Sequence, residues 1–238
     1  MMAGSLLYKK EIPVNNGISV IVPTVGSILD NEDEYYGLVS VFTAMPIDMM
    51  VELDDAGIDF TTINEYDLFL YMFATLRGRD ISLVLSGINF GELDIAQNQR
   101  SGEVVLVDRG GNVAFDRSTH INVANTLRMI HHLEKDMRKP VDKATRNYMI
   151  DRARRKRKRH HNVRKLSQLE SLIIALVNTE QFSYDFESVQ KMTIYQFNES
   201  VRQVIKKIDY DNRMHGIYAG TVSLKDMSQD DLNWLTHK

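Results

Sequence analysis

The hydrophobic pattern of the chain predicts mainly helices. Apolar side chains fill every position from 68 to 73, which is typical of a helix that is buried on most of its faces. We expect this helix over residues 65–76, and Asn64 is a suitable N-cap for it. Helix-compatible stretches with helical spacing or N-terminal start signals predict further helices at 35–44, 47–56, 142–150 and from Ser118 toward Met137.

Short β-branched runs in the N-terminal half predict strands over 18–22, 81–85 and 103–107. Gly110 and Gly111 follow the last of these runs and precede a further apolar run at 113–115. Because glycine supplies the positive φ angles of tight turns, this arrangement indicates a hairpin. The sequence therefore predicts a small sheet in this half of the chain.

The C-terminal third carries helix-start signals, each with a hydroxyl three residues before a side-chain acceptor. The pairs are Ser167 with Glu170, Thr193 with Gln196, and Ser228 with Asp231. Helices are predicted to follow them over 168–177, 194–208 and 229–235. We expect these helices to bury one another's apolar stripes in a small helical subdomain.

These elements together predict a helix-dominated α+β fold. We expect an acidic α+β domain over residues 1–117, a helical segment with a basic arm over 118–166, and the C-terminal helical subdomain over 167–238.

Charge is strongly segregated along the 238 residues, although the whole chain carries only −3. Residues 1–100 hold 15 acids and 5 bases, whereas residues 101–165 hold 7 acids and 17 bases. Six consecutive cations occupy positions 154–159. The candidate interaction residues of this basic arm are Arg152, Arg154, Arg155, Lys156, Arg157, Lys158, Arg159, Arg164 and Lys165.

The basic run at residues 152–165 has three interpretations. It can be a solvated helix face, or it can contact nucleic acid, since lysine and arginine displace counterions from phosphate. It can also dock on an acidic protein surface, such as the acidic N-terminal half of a second copy. In a nucleated cell the same six cations could serve as a nuclear localisation signal.

The motifs of common catalytic sites are absent from the sequence. It contains neither a G-x-G-x-x-G nor a Walker pattern nor a G-x-S-x-G elbow, and it has no cysteine. His131–His132 and His160–His161 are adjacent pairs, which point about 100° apart on a helix and are poorly placed to share a metal. We therefore expect no enzyme activity, cofactor or metal, and neither export nor a membrane span.

Three segments carry a resemblance to known proteins: PTVGSILDNEDEYY, PIDMMVELDDAGIDF and TIYQFNESVRQVIKKIDYDNRMHGIYAGTVSLKDMSQDDLNWL. The chain resembles uncharacterised virion morphogenesis proteins of tailed phages of Gram-positive bacteria. The resemblance implies a non-enzymatic structural or tail-assembly protein, located in the virion or in the host cytoplasm during assembly. Its partners would be other phage structural proteins or itself as a homo-oligomer, and the alternative is a nucleic-acid-binding protein that uses the basic arm.

Overall fold

Helices dominate the α+β fold, as the sequence predicts. The structure, a computed structural model, describes residues 6–15, 17–98, 102–160, 167–223, 225, 227–228 and 232–235. Its α-helices are α1 Val25–Leu29, α2 Glu32–Thr43, α3 Met50–Asp55, α4 Glu65–Met72, α5 Arg117–His131, α6 Lys143–His160, α7 Gln168–Val177, α8 Phe186–Lys191 and α9 Ile194–Tyr218. Short 3-10 helices cover Leu6–Tyr8, Phe73–Leu76 and Phe90–Glu92.

Two small antiparallel sheets lie in the N-terminal half. The first has the order β1-β2-β3, with β1 Glu11–Asn15, β2 Ile18–Ile21 and β3 Leu85–Ser86. The second has the order β4-β5-β6, with β4 Asp94–Gln97, β5 Val104–Val107 and β6 Val113–Phe115.

The chain divides into two compact units. The larger unit consists of Lys9–Pro23 and Asn31–Leu166, and it holds both sheets and helices α2 to α6. The smaller unit consists of Met1–Tyr8, Thr24–Asp30 and Ser167–Lys238, and it holds α1, α7, α8 and α9.

Phe69 of α4 lies at the centre of an aromatic cluster in the larger unit. Its ring stacks on Phe42 of α2 with centroids 5.5 Å apart, and it lies 5.3 Å from Phe115 of β6. Phe90 contacts the same cluster, with its centroid 5.4 Å from that of Phe115. All four rings are almost fully buried, so this cluster joins α2 and α4 to the second sheet.

Arg128 of α5 ties three helices together beside this cluster. It is 5% exposed, and its Nη2 donates to the carbonyl of Thr43 at 2.7 Å and to Glu65 Oε2 at 3.0 Å. Glu65 also accepts from Lys135 Nζ at 2.8 Å. Burial raises the pKa of Glu65, but Lys135 and Arg128 outweigh that effect and hold the pKa below its usual range.

Gly87, directly after β3, occupies a position that only glycine fits. Its φ is +80°, and a Cβ there would lie 1.7 Å from the carbonyl oxygen of Gly17. The turn between β1 and β2 can therefore approach the end of β3 closely because Gly87 carries no side chain.

In the smaller unit, two capping threonines lie opposite each other. Thr24 caps α1 by accepting from the Ser27 amide, and Thr193 caps α9. Thr24 and Thr193 also form an isolated antiparallel bridge, and the Val25 amide donates to the Met192 carbonyl at 2.9 Å. The starts of α1 and α9 are thus fixed against each other by backbone hydrogen bonds.

The predicted caps are confirmed where the structure describes them. Asn64 accepts from the amides of Tyr66 and Asp67, and Ser167 accepts from the Glu170 amide. The predicted pair of Ser228 with Asp231 includes a residue outside the described part of the chain. Residues 229–231 of the predicted last helix lie outside it as well, and the described remainder at 232–235 forms turns and irregular structure.

Several predicted element boundaries were wrong. Helix α3 begins at Met50 rather than at 47, because residues 46–49 form a turn in which Asp48 accepts from the Met45 amide. Helix α5 begins after Asp116, which accepts from the Thr119 amide at 2.7 Å, and it ends at His131 because His132 adopts a positive φ of 52°. Most of the strand predicted over 81–85 is a turn.

The Thr193 cap should contribute measurably to stability. Its Oγ1 accepts from the Gln196 amide at 3.2 Å, while Gln196 Oε1 accepts from the Thr193 amide at 2.9 Å. Thr193→Ala removes one half of this reciprocal pair, so we expect the free energy of unfolding in urea to fall by about 1 kcal/mol. Thr193→Ser keeps the hydroxyl and should lose much less, and equal losses in the two variants would contradict the role of the cap.

His120 should make the stability depend on pH. Its ring is 1% exposed and lies 4.7 Å from that of Phe69, and burial lowers its pKa to about 4. The unfolded histidine takes up a proton near its usual pKa of about 6.5. The contribution of His120 to the free energy of unfolding is therefore fully present above that pH and is lost as the pH falls toward 4.

Between pH 6.5 and pH 4, the contribution of His120 to the free energy of unfolding should fall by about 3 kcal/mol. His120→Leu removes the group that titrates, so its urea midpoint should fall less between these two pH values than that of the wild type. A wild-type slope that persists in His120→Leu would rule out this assignment.

Candidate interaction surface on the basic helix

Helix α6 carries most of the candidate interaction residues. It begins after Asp142, whose Oδ1 accepts from the Thr145 amide at 2.7 Å, and it continues through all six consecutive cations to His160. The prediction that the basic run continues a helix is therefore confirmed over this length. Arg164 and Lys165 lie outside the described residues.

One face of α6 is packed against the acidic helix α3 and the loop after it. We call this face the inward row; its members are Arg146, Ile150, Arg154 and Arg157, which are spaced by three or four residues and so share one side of the helix. Ile150 is 3% exposed and packs in an apolar cluster with Leu53 and Phe60.

The three cations of the inward row are paired with carboxylates. Arg146 pairs with Asp59, and Arg157 pairs with Glu52. Arg154 pairs with two acids, reaching Asp54 Oδ2 at 2.8 Å and also contacting Asp55. Through these contacts, acids between residues 52 and 59 compensate the cations on one face of α6.

These ion pairs contribute little to the stability of the fold, and the pKa of Asp59 is set mainly by a neighbouring residue. The backbone amide and hydroxyl of Thr61 hold the pKa of Asp59 below its usual range, and Arg146 lowers it further. The side chains of Arg154 and Arg157 are 37% and 58% exposed, so water and salt screen their pairs. Burial of Ile150 therefore contributes more to holding α6 in place than any single ion pair does.

The opposite face of α6 is cationic and exposed. We call it the outward row; its cations are Arg152, Arg155, Lys156 and Arg159, and Tyr148 lies on the same side of the helix. None of these four cations forms an ion pair with a residue that the structure describes, although Arg155 Nε donates to the Asp151 carbonyl at 3.3 Å. Lys158 is exposed between the two rows.

The outward row forms one side of an open groove of about 620 Å³. Arg138, which precedes α6 in the chain, lines it as well, and Met50, Tyr148, Met149 and Ala153 contribute its remaining described surface. Arg138 Nε donates to Asp136 Oδ1 at 2.8 Å, and this guanidinium lowers the pKa of Asp136 to about 2. The described lining contains five cations and no acid, so the groove attracts anions.

This geometry divides the candidate interaction residues of the basic arm between two faces of α6. The cations of the inward row form ion pairs within the same chain, whereas those of the outward row are exposed to solvent. Between Asp142 and His160 the large apolar side chains are Tyr148, Met149 and Ile150. The packed face could have been predicted from Ile150, because Arg146, Arg154 and Arg157 share its side of the helix. Arg138 and Tyr148 were missed because neither belongs to the run of cations.

The remaining sites considered from the sequence carry little chemistry. Among the described residues, no three histidine, aspartate or glutamate side chains are grouped so that they could hold a metal ion. His131 instead shares a 2.8 Å hydrogen bond with the buried hydroxyl of Tyr35. Within the described part of the chain, no helix combines the length and apolar character that crossing a membrane requires.

Comparison with known protein families fits a phage protein. Residues 156–238 match the model of a phage-derived domain family. The family is the YomV second domain, and the matched stretch begins in the basic run of α6 and continues through α7, α8 and α9. No curated protein and no solved structure matches the chain.

Ile150 should be the residue that anchors α6. Ile150→Ala removes a buried side chain from the cluster with Leu53 and Phe60, so we expect the free energy of unfolding to fall by about 3 kcal/mol. Tyr148→Ala is the control on the exposed face, where the side chain is 60% exposed, and it should change stability by less than about 0.5 kcal/mol. Similar losses in both variants would show that α6 is not held through Ile150.

Proposed function

We propose that the protein is a non-enzymatic phage structural or tail-assembly protein whose outward row docks on an anionic macromolecule. The observation that supports this most directly is the division of the cations of α6 between two faces. The inward row is neutralised by Glu52, Asp54, Asp55 and Asp59, whereas the outward row keeps four exposed cations together.

The energetics favour this use of the surface. Four cations on one helix face, with Asp151 as the one acid of α6 beside them, repel one another, and an anionic partner relieves that repulsion. A solvated helix face would more commonly interleave acids with its bases, whereas Asp151 is the only acid from 143 to 160 and lies beside the outward row rather than in it. An exposed surface of this kind accelerates encounter with its partner and loses affinity as salt rises.

The absence of common catalytic motifs from the sequence supports a role in binding rather than in catalysis. A function in the virion, or in the host cytoplasm during assembly, agrees with the phage-derived match. The inward row also demonstrates that α6 can engage carboxylates presented by another helix, so an acidic protein surface is a chemically reasonable partner.

A second copy of the chain is one such partner. The acids of α3 that face α6 are already paired, so a second copy would have to offer other carboxylates to the outward row. Self-association of this kind should decrease toward about 1 M salt, where exposed charges are screened within about 3 Å.

The proposal predicts that an outward variant loses binding to anions. Changing Arg152, Arg155, Lys156 and Arg159 to Gln should abolish most binding to polyglutamate, measured by calorimetry on nuclease-treated protein at about 50 mM salt. The same variant should show a lower mass in light scattering if a second copy is the partner.

A matched control has the same change in net charge at scattered sites. It replaces Lys10, Arg109, Lys191 and Arg213 by Gln; the three ion pairs lost with the last three residues are exposed and so contribute little to stability. This control should bind as the wild type does. If the outward variant and the control bind every anionic probe equally, the outward row is not the docking surface and the proposal is wrong.

A further inference from the structure

We infer that the groove formed by the outward row and Arg138 binds single-stranded nucleic acid. This inference rests on the proposed function, because it names the partner of the same surface. It adds two features that the charge of α6 alone does not contain: cations from two separate segments of the chain, and an exposed aromatic ring in the same groove.

The arrangement of cations suits a phosphate backbone. From Arg152 to Arg159 the outward row extends about 10 Å along the helix, so it can follow several successive phosphates rather than hold a single anion. Arg138 adds a guanidinium from outside the helix, which its pair with Asp136 partly neutralises. Three of the four cations on the outward row are arginines, whose planar fork matches phosphate oxygens in a bidentate manner.

Tyr148 favours nucleic acid over an acidic protein. Its side chain is 60% exposed and lines the groove beside Met149 and the cations. A base can stack on such a ring, and sequence-tolerant binding of single strands commonly combines a basic groove with aromatic side chains. A partner that offered only carboxylates would use the cations and leave the ring without a role.

The exposed ring also favours a single strand over a duplex. In a duplex the faces of the bases are occupied by their neighbours, so stacking on Tyr148 would require a base to leave the helix at a cost of a few kcal/mol. The acids of α3 pair with Arg154 and Arg157 on the inward face, so the outward row is the part of α6 that a nucleic acid would contact.

The test is fluorescence anisotropy of the full, nuclease-treated chain with labelled oligothymidylate of about 15 nucleotides and with a duplex of the same length. We expect the single strand to bind more tightly than the duplex. For four phosphate contacts, the logarithm of the binding constant should fall with the logarithm of salt with a slope of about −3. The outward variant should lose most of this slope and affinity, whereas the charge-matched control should keep both.

Substitution of Tyr148 changes the affinity for the oligothymidylate without changing the charge of the groove. Tyr148→Ala should weaken binding of the oligothymidylate about tenfold with little change in the salt slope, whereas Tyr148→Phe keeps the ring and should bind as the wild type does. Equal affinities for all three proteins would overturn the stacking role and with it the preference for a single strand.

The failure of this inference can be told apart from the failure of the proposed function. If the chain binds polyglutamate or itself through the outward row but binds no oligonucleotide, the inference is wrong and the proposed docking surface stands. Tighter binding of the duplex than of the single strand would also overturn the inference. If the outward variant behaves as the wild type toward every one of these probes, both are wrong.

Discussion

The compensation of α6 by α3 determines what the protein can offer to a partner. Without the acids of α3 and of the loop after it, the face of α6 that Ile150 buries would keep unpaired cations, and the two faces would not differ in charge. Because Ile150 is buried against α3 and Arg154 and Arg157 pair with its acids, the rotation of α6 about its own axis is fixed. The same rotation places Arg152, Arg155 and Arg159 on the opposite face. A surface of one sign thus follows from neutralising the other side of the helix.

Ionic contacts have two different roles in the larger unit. Arg128 is almost fully buried and pairs with Glu65, so loss of Glu65 would leave the Arg128 charge in a setting with little water. The pairs of Arg154 and Arg157 are about half exposed, and water can replace either partner at little cost. The first kind of contact holds three helices in one arrangement. The second kind orients a helix that Ile150 already anchors, which leaves the basic surface tolerant of change.

The sequence predicted the features that depend on neighbouring residues. Asn64, Ser167 and Thr193 were recognisable as caps because their acceptor chemistry acts over three residues, and the hairpin of β5 and β6 followed from Gly110 and Gly111. Strand β1 was missed because it contains Pro13, which an edge strand tolerates, and β4 was missed because it is short and polar. The division of α6 into two rows depends on α3, about 100 residues away, so the run of cations alone could not reveal it.

The smaller unit combines segments from the two ends of the chain, which affects the order in which it can fold during synthesis. Residues 24–25 form a bridge and a hydrogen bond with residues 192–193, and they leave the ribosome long before residues 192–193 do. Helix α1 must therefore wait for α8 and α9 while the larger unit is synthesised, and its buried residues Val25 and Ile28 stay uncovered during that time. A protein that carried the C-terminal segment without a counterpart of α1 would have to cover α8 with some other helix or with a neighbouring molecule.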